Sequence, residues 1–277
     1  MSLSRLDERD EALPRYRKKL LAAIVRDFTT DALIRGVFIA GSLSAGDADL
    51  YSDIDLRIVV DAEDLNDFVA YKTVRPNTWG SVLFYEDLGS AVAHTVAHFD
   101  GFIKVDCFYY CVSDLTPSLA LKNIRILHDP LGIVGCVHRR SQSLVYQTSA
   151  DEVERWRYKV LAYAHEVYRR CKRGELSYAR KMVIGLTGCV MAGWHMEAGR
   201  WPDVWADWAK AEGPRSVLAR WQQDLLHTWH PPWNGQAMLD ILPTMIPELS
   251  RLNDRLSNLT GCDPDHRVWQ QAWEMVV

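Results

Sequence analysis

"GSLSAGDADLYSDIDLRIVV", residues 41–60, opens on a small flexible turn and closes on a strand-like run carrying two aspartates one residue apart. Residues i and i+2 of a strand point to the same side. A strand over 53–60 therefore presents the Asp53 and Asp55 carboxylates together. Like charges at that spacing raise each other's pKa unless a cation lies between them. A hard divalent ion such as Mg²⁺ removes the conflict, because it takes oxygen ligands and keeps positions open for phosphate oxygens. Gly41 and Ser42 supply the complementary part: a glycine lets backbone N–H groups approach a phosphate closely, and the serine adds a hydroxyl donor. A helix starting in "SLSAGDA" would add its N-terminal amides. A phosphate cradle one short connection before a metal-binding strand suits metal-assisted nucleotidyl transfer.

Outward from this stretch, the first half of the chain reads as mixed α/β. Leu20, Leu21, Ile24, Val25 and Phe28 mark an amphipathic helix over about 11–28, followed by the short apolar strand "GVFIA", 36–40. A helix is expected over 63–74, ended by Pro76, and a strand over 81–87. "VAHTVAHFDGFIKVDCFYYCV", 92–112, reads as two strands around Asp100-Gly101, a strong hairpin signal. "NIRILHD", 123–129, adds a short strand before Pro130.

The second half loses its strand signals. Val153, Trp156, Val160, Ala164 and Val167 recur at three and four, as do Leu176, Ala179, Val183, Leu186 and Val190. Ser149 with Glu152 forms a capping box for the first of these helices. Leu218, Trp221 and Leu225 mark a later helix; Leu239, Leu242, Ile246, Leu249 and Leu252 mark another, which Pro243 and Pro247 are expected to kink or interrupt. The expectation is an α+β chain: a sheet-containing domain over 1–135 and a bundle of four or five helices over 136–277.

A third carboxylate is expected from a neighbouring strand, and Asp106 in "FIKVDCFYY" is the candidate, because it too interrupts an apolar run. Lys104 lies two residues before it on the same strand face, and Arg180-Lys181 lies on a second-domain helix; both are candidates to reach a triphosphate, against a solvated-surface reading. Glu86 and Asp87 end a strand and are candidates to hold a cationic acceptor or act as general base, though acids in such positions are commonly just exposed. His94 and His98 can share a strand face, but no third zinc ligand is near and ordinary strand histidines are favoured. Ten of the 11 tryptophans lie after residue 150; most are expected in the bundle core, with Trp201, Trp205 and Trp208 as candidates to stack on a base or sugar.

The bulk numbers narrow the class. The 277 residues carry a net charge of -4, with 48% apolar and 25% charged side chains. That is ordinary for a globular protein with a sizeable core, and without a basic excess nucleic-acid binding is not favoured. Six cysteines without C-x-x-C spacing argue against zinc sites and a disulfide framework. The charged N-terminus lacks an apolar signal-peptide segment, so a cytoplasmic location is expected.

"GSLSAGDADLYSDIDLRIVV" resembles the Gly-Ser…Asp-x-Asp signature of the DNA polymerase β-like nucleotidyltransferase superfamily. "KVDCFYYCVSDL" and "ILHDP" look like the corresponding parts of streptomycin adenylyltransferase-like aminoglycoside nucleotidyltransferases. The resemblance covers roughly 36–130, and the helical half is similar only in kind. It implies a small mixed sheet flanked by helices, an NTP donor, in the first instance ATP, and Mg²⁺, with two ions in the active complex. By motif match it assigns Gly41 and Ser42 to the phosphates and Asp53, Asp55 and Asp106 to metal and catalysis. The acceptor it suggests is a small hydroxylated molecule, specifically an aminoglycoside-type antibiotic, with antibiotic resistance as the setting. Two other readings stay open: nucleotidylation of a protein or RNA end, as in toxin–antitoxin or regulatory systems, and a non-catalytic nucleotide-binding module on the same fold.

Overall fold

The computed structural model describes residues 5–202 and 208–277. The chain divides into two compact units, Met1–Val145 and Tyr146–Val277. It is an α+β chain, with a mixed sheet and flanking helices in the first unit and helices alone in the second.

The first unit runs α1 (Arg5–Thr29), β1 (Ile34–Ile39), α2 (Gly41–Ala45), β2 (Ile54–Val60), α3 (Leu65–Ala70), β3 (Val82–Asp87), β4 (His94–Phe99), β5 (Ile103–Cys111), β6 (Arg125–His128) and α4 (Ile133–Gln142). Its sheet has the order β3-β4-β5-β2-β1-β6. β2 and β5 run parallel, and the other pairs are antiparallel. The Asp100-Gly101 hairpin forms, with Phe99 opposite Ile103.

Alternation decides what each face carries. Ile54, Leu56 and Ile58 of β2, and Ile103, Val105, Cys107 and Tyr109 of β5, enter a core lined by Leu13, Leu20, Ile24 and Phe28 of α1. Burying each such side chain contributes about 1.5–3 kcal/mol. Asp55, Arg57, Lys104, Asp106 and Phe108 alternate with these residues and are only half-buried. The two aspartates of 53–55 therefore never enter the core. On their face of the sheet α4 covers only the β1 end, where Val134 packs on Phe38 and Val59. That packing also keeps α4 within the first unit.

The second unit contains α5 (Ala150–Lys172), α6 (Leu176–Glu197), α7 (Arg220–Thr228), α8 (Gly235–Leu239), α9 (Ile241–Thr260) and α10 (His266–Glu274). These are six helices among the described residues, more than the four or five expected, because Leu239 ends a separate short α8 ahead of α9 and because α10 follows where no helical pattern is marked. Ser149 caps α5: its hydroxyl accepts from the Glu152 amide (3.2 Å), and the Glu152 carboxylate accepts from the Ser149 amide (3.0 Å). The prolines do not interrupt α9. Pro243 lies in its first turn, where no intrahelical N–H is required, and Pro247 is carried inside the helix. Buried Arg157 donates to Asn253 Oδ1 (2.7 Å) and Ser257 Oγ (2.9 Å), tying α5 to α9. Trp156, Trp194, Trp229, Trp269 and Trp273 are in the core, whereas Trp201, Trp208, Trp221 and Trp233 are exposed. Trp205 lies outside the described residues. No helix among the described residues is long and apolar enough to cross a membrane.

Candidate active site

The register of the parallel pair brings the acids together. Asp55 of β2 is the direct partner of Asp106 on β5, so both stand on the open face side by side. Asp53 sits just ahead of β2, which begins at Ile54 rather than at 53. The loop that delivers it is held from below. Buried Arg17 of α1 donates to the backbone carbonyls of Ser52 (2.6 Å), Asp49 (3.0 Å) and Leu50 (3.2 Å).

Lys104 links the outer two acids. Its Nζ donates to Asp53 Oδ2 at 2.9 Å and to Asp106 Oδ2 at 3.0 Å. Partial burial pulls this ammonium's pKa down, but the bonds to Asp53 and Asp106 outweigh it and hold the pKa above the usual lysine value. Asp55 is left with less support: burial first, then Asp53, pushes its carboxyl above the usual carboxylate range, against the pull of Arg57. Arg57 was not singled out from the sequence, although the i+2 rule puts it on the face of Asp55. Its guanidinium lies 4.0 Å from Asp55 Oδ1 and 3.9 Å from the centre of the Phe108 ring.

Gly41 and Ser42 open α2, a single turn of five residues beside these acids. Gly41 has φ +64°, and a Cβ there would lie 1.9 Å from Asp55 Oδ2. The backbone thus passes so close to the carboxylate that any side chain here would both strain the left-handed turn and displace the Asp55 carboxylate. Ser44, which the sequence reading did not single out, fastens the turn by donating to Gly41 O (2.8 Å) and Asn123 O (2.7 Å). Ser42 is half-buried.

The remaining candidates are placed otherwise. Asp87 pairs with buried Lys72 at 2.6 Å, and Lys72 also donates to the carbonyls of Gly89, Val92 and His94. That lysine is a strut for the β3–β4 connection, and Asp87 is its ion-pair partner. Glu86 meets His98 Nε2 at 2.6 Å. His94 stacks on Phe108, with 4.0 Å between ring centres. Burial pulls the His94 pKa below the usual imidazole value despite Asp106 nearby. Arg180 of α6 lies over the Trp233 ring at 4.1 Å within the second unit, and Lys181 is exposed.

The donor chemistry suits a hard divalent ion, since three carboxylates share one face and an ammonium already bridges Asp53 and Asp106 as a resident cation. Among the described residues, the trios with ligand atoms within 4.8 Å of one another are Glu212/His227/His230 and Asp61/Glu63/Asp64. Asp53, Asp55 and Asp106 are therefore spread wider than a single shared point, with Lys104 spanning the gap.

No family model matches the sequence, and no curated protein matches it. Among solved structures, the chain is similar to an aminoglycoside 6-adenyltransferase from Bacillus subtilis, over 94% of this chain and 97% of that one, at 10% identity and a TM-score of 0.38. A likeness of this degree leaves function to be argued from the residues.

Proposed function

We propose that the chain is a metal-dependent nucleotidyltransferase, which moves a nucleoside monophosphate, AMP from ATP in the first instance, to a hydroxyl of a small molecule. The observation that supports it is the pairing of Asp55 with Asp106 on the open sheet face, under a Gly41 backbone pressed against the Asp55 carboxylate. An aminoglycoside is the specific acceptor suggested by the sequence resemblance.

In this reading Asp53, Asp55 and Asp106 would hold Mg²⁺, which neutralises triphosphate charge and polarises the reacting oxygens. Gly41 and Ser42 hold the phosphates by backbone N–H groups and the hydroxyl. The acceptor oxygen attacks the α-phosphorus as the bond to the β-phosphate oxygen breaks; pyrophosphate leaves, and Asp106 receives the hydroxyl proton. Lys104 meanwhile holds Asp53 and Asp106 in place through its two ion pairs.

The test is pyrophosphate release from each of the four common NTPs, with and without Mg²⁺, across a panel of hydroxylated acceptors, alongside Mg²⁺-dependent nucleotide binding by calorimetry. Release that needs Mg²⁺ and vanishes in Asp55→Asn supports the proposal. Neither release nor Mg²⁺-dependent binding with any NTP overturns it.

A further inference from the structure

An open cavity of about 760 Å³ adjoins the acids within the first unit, and Asp53 and Lys104 form one end of its lining. The rest is largely apolar: Tyr51, Phe84 and Phe102 contribute rings that are 63%, 55% and 61% exposed. Large apolar side chains left in water around one concave site mark a binding surface. Two of these rings are held in place. Phe84 stacks on His98, with 4.2 Å between centres and 15° between planes. Phe102 carries the Arg9 guanidinium 4.0 Å above its ring. Phe102 also sits at φ +58°, a left-handed conformation that costs a bulky residue energy and clusters at functional sites.

Charge in the cavity is balanced. Arg9 and Lys104 are offset by Asp53 and Asp100. Asp53 is paired with Lys104, Arg9 donates to Asp10 at 2.8 Å, and Asp100 accepts the Tyr16 hydroxyl. The lining side chains together carry no net charge, so they offer no anionic excess to a polycation.

Position separates this cavity from the phosphate side. In the sheet order, Gly41-Ser42 follows β1, on one flank of the acids, whereas Phe84 and His98 lie on β3 and β4, on the other. In a phosphoryl transfer the attacking and leaving oxygens are roughly in line across phosphorus. With pyrophosphate leaving toward Gly41-Ser42, the acceptor hydroxyl enters from the β4 side.

We infer that this cavity is the acceptor site, and that it selects a neutral, hydroxylated molecule with a flat apolar or aromatic ring rather than a polycation. The inference rests on the transferase reading for the acceptor's role, but the binding claim can be checked alone. The acceptor's ring lies between Phe84 and Phe102, and its hydroxyl points to Asp53 and Lys104.

The experiment is calorimetric titration of the full chain with 4-nitrophenyl β-glucoside, streptomycin and ATP–Mg²⁺, each against wild type, Phe84→Ala and Phe102→Gly. Phe84 is exposed on an edge strand, and Phe102→Gly relieves the left-handed strain, so both variants keep the fold, which thermal melts verify. The expected result is aryl glucoside binding weakened roughly threefold to tenfold in each variant, ATP–Mg²⁺ binding unchanged, and no competition from streptomycin. That outcome supports the binding claim whether or not transfer is found, because pyrophosphate release tests the transferase reading separately. Aryl glucoside binding that is absent, or indifferent to both substitutions, overturns the inference. So does weakened ATP–Mg²⁺ binding in Phe84→Ala, which would place the base in the cavity and leave the transferase reading intact. Streptomycin binding more tightly than the glucoside also overturns it.

Discussion

Gly41 and Asp55 occupy the same small volume: a Cβ on Gly41 would fall 1.9 Å from Asp55 Oδ2. The phosphate-side turn and the central carboxylate are therefore one steric unit, although they lie 14 positions apart in the chain. Gly41→Ala adds a left-handed penalty of about 1–2 kcal/mol and pushes the carboxylate aside. The expected outcome is a melting midpoint lowered by several degrees and loss of Mg²⁺-dependent nucleotide binding. Wild-type binding in this variant would show that the close approach has no role.

Lys104 stands between Asp53 and Asp106 as a resident cation. Lys104→Met should destabilise the metal-free chain modestly, by about 0.2–1 kcal/mol per lost pair, because the ammonium is partly exposed and screened. It should also raise Mg²⁺ affinity, since the ion no longer competes with a fixed charge. Thermal melts in EDTA and in Mg²⁺ check both effects: the deficit should appear in EDTA and close in Mg²⁺. A deficit unchanged by Mg²⁺ would make Lys104 purely structural.

Asp55 carries a carboxyl whose pKa burial and Asp53 push upward in the folded state. Between its unfolded value, near 3.9, and its raised folded value, the folded chain binds more protons than the unfolded one. This group's contribution to stability therefore falls as pH rises through that window. Asp55→Asn should remove that downward slope and make the metal-free protein slightly more stable at neutral pH, while abolishing metal-dependent activity. Urea titrations from pH 3.5 to 7 provide the measurement, and an unchanged slope would contradict it.

Arg17 holds three carbonyls of the loop that leads into Asp53. Arg17→Met leaves that loop without its charged donor, at a cost on the order of 1.5–3 kcal/mol. Faster hydrogen exchange confined to residues around 49–53, with the sheet still protected, is the expected signature. Exchange unchanged in this loop would remove Arg17 from the positioning of Asp53.

Much of this architecture was legible because its signals are local. The i+2 rule put Asp53 and Asp55 on one side, Asp100-Gly101 marked the hairpin, and the Ser149–Glu152 box marked the start of α5. The same rule applied once more would have found Arg57. Arg17 left no trace, because its partners are more than 30 positions away and are backbone carbonyls, which any residue supplies. Glu86 and Asp87 looked alike as neighbouring acids, yet one meets His98 and the other a buried lysine.

The amino-acid pattern by itself determined which side chains alternate toward the core and which acids stand out of it, since strand periodicity is a property of the backbone. Tertiary structure alone decided that Asp55 lies opposite Asp106. That pairing needs β2 and β5 to run parallel in one register, and a shift by one residue would turn the Asp106 side of β5 into the core. It also decided that Lys104 faces two carboxylates and that Phe84 and Phe102 wall one cavity, because strand order and a hairpin's docking bring together residues that no local propensity connects.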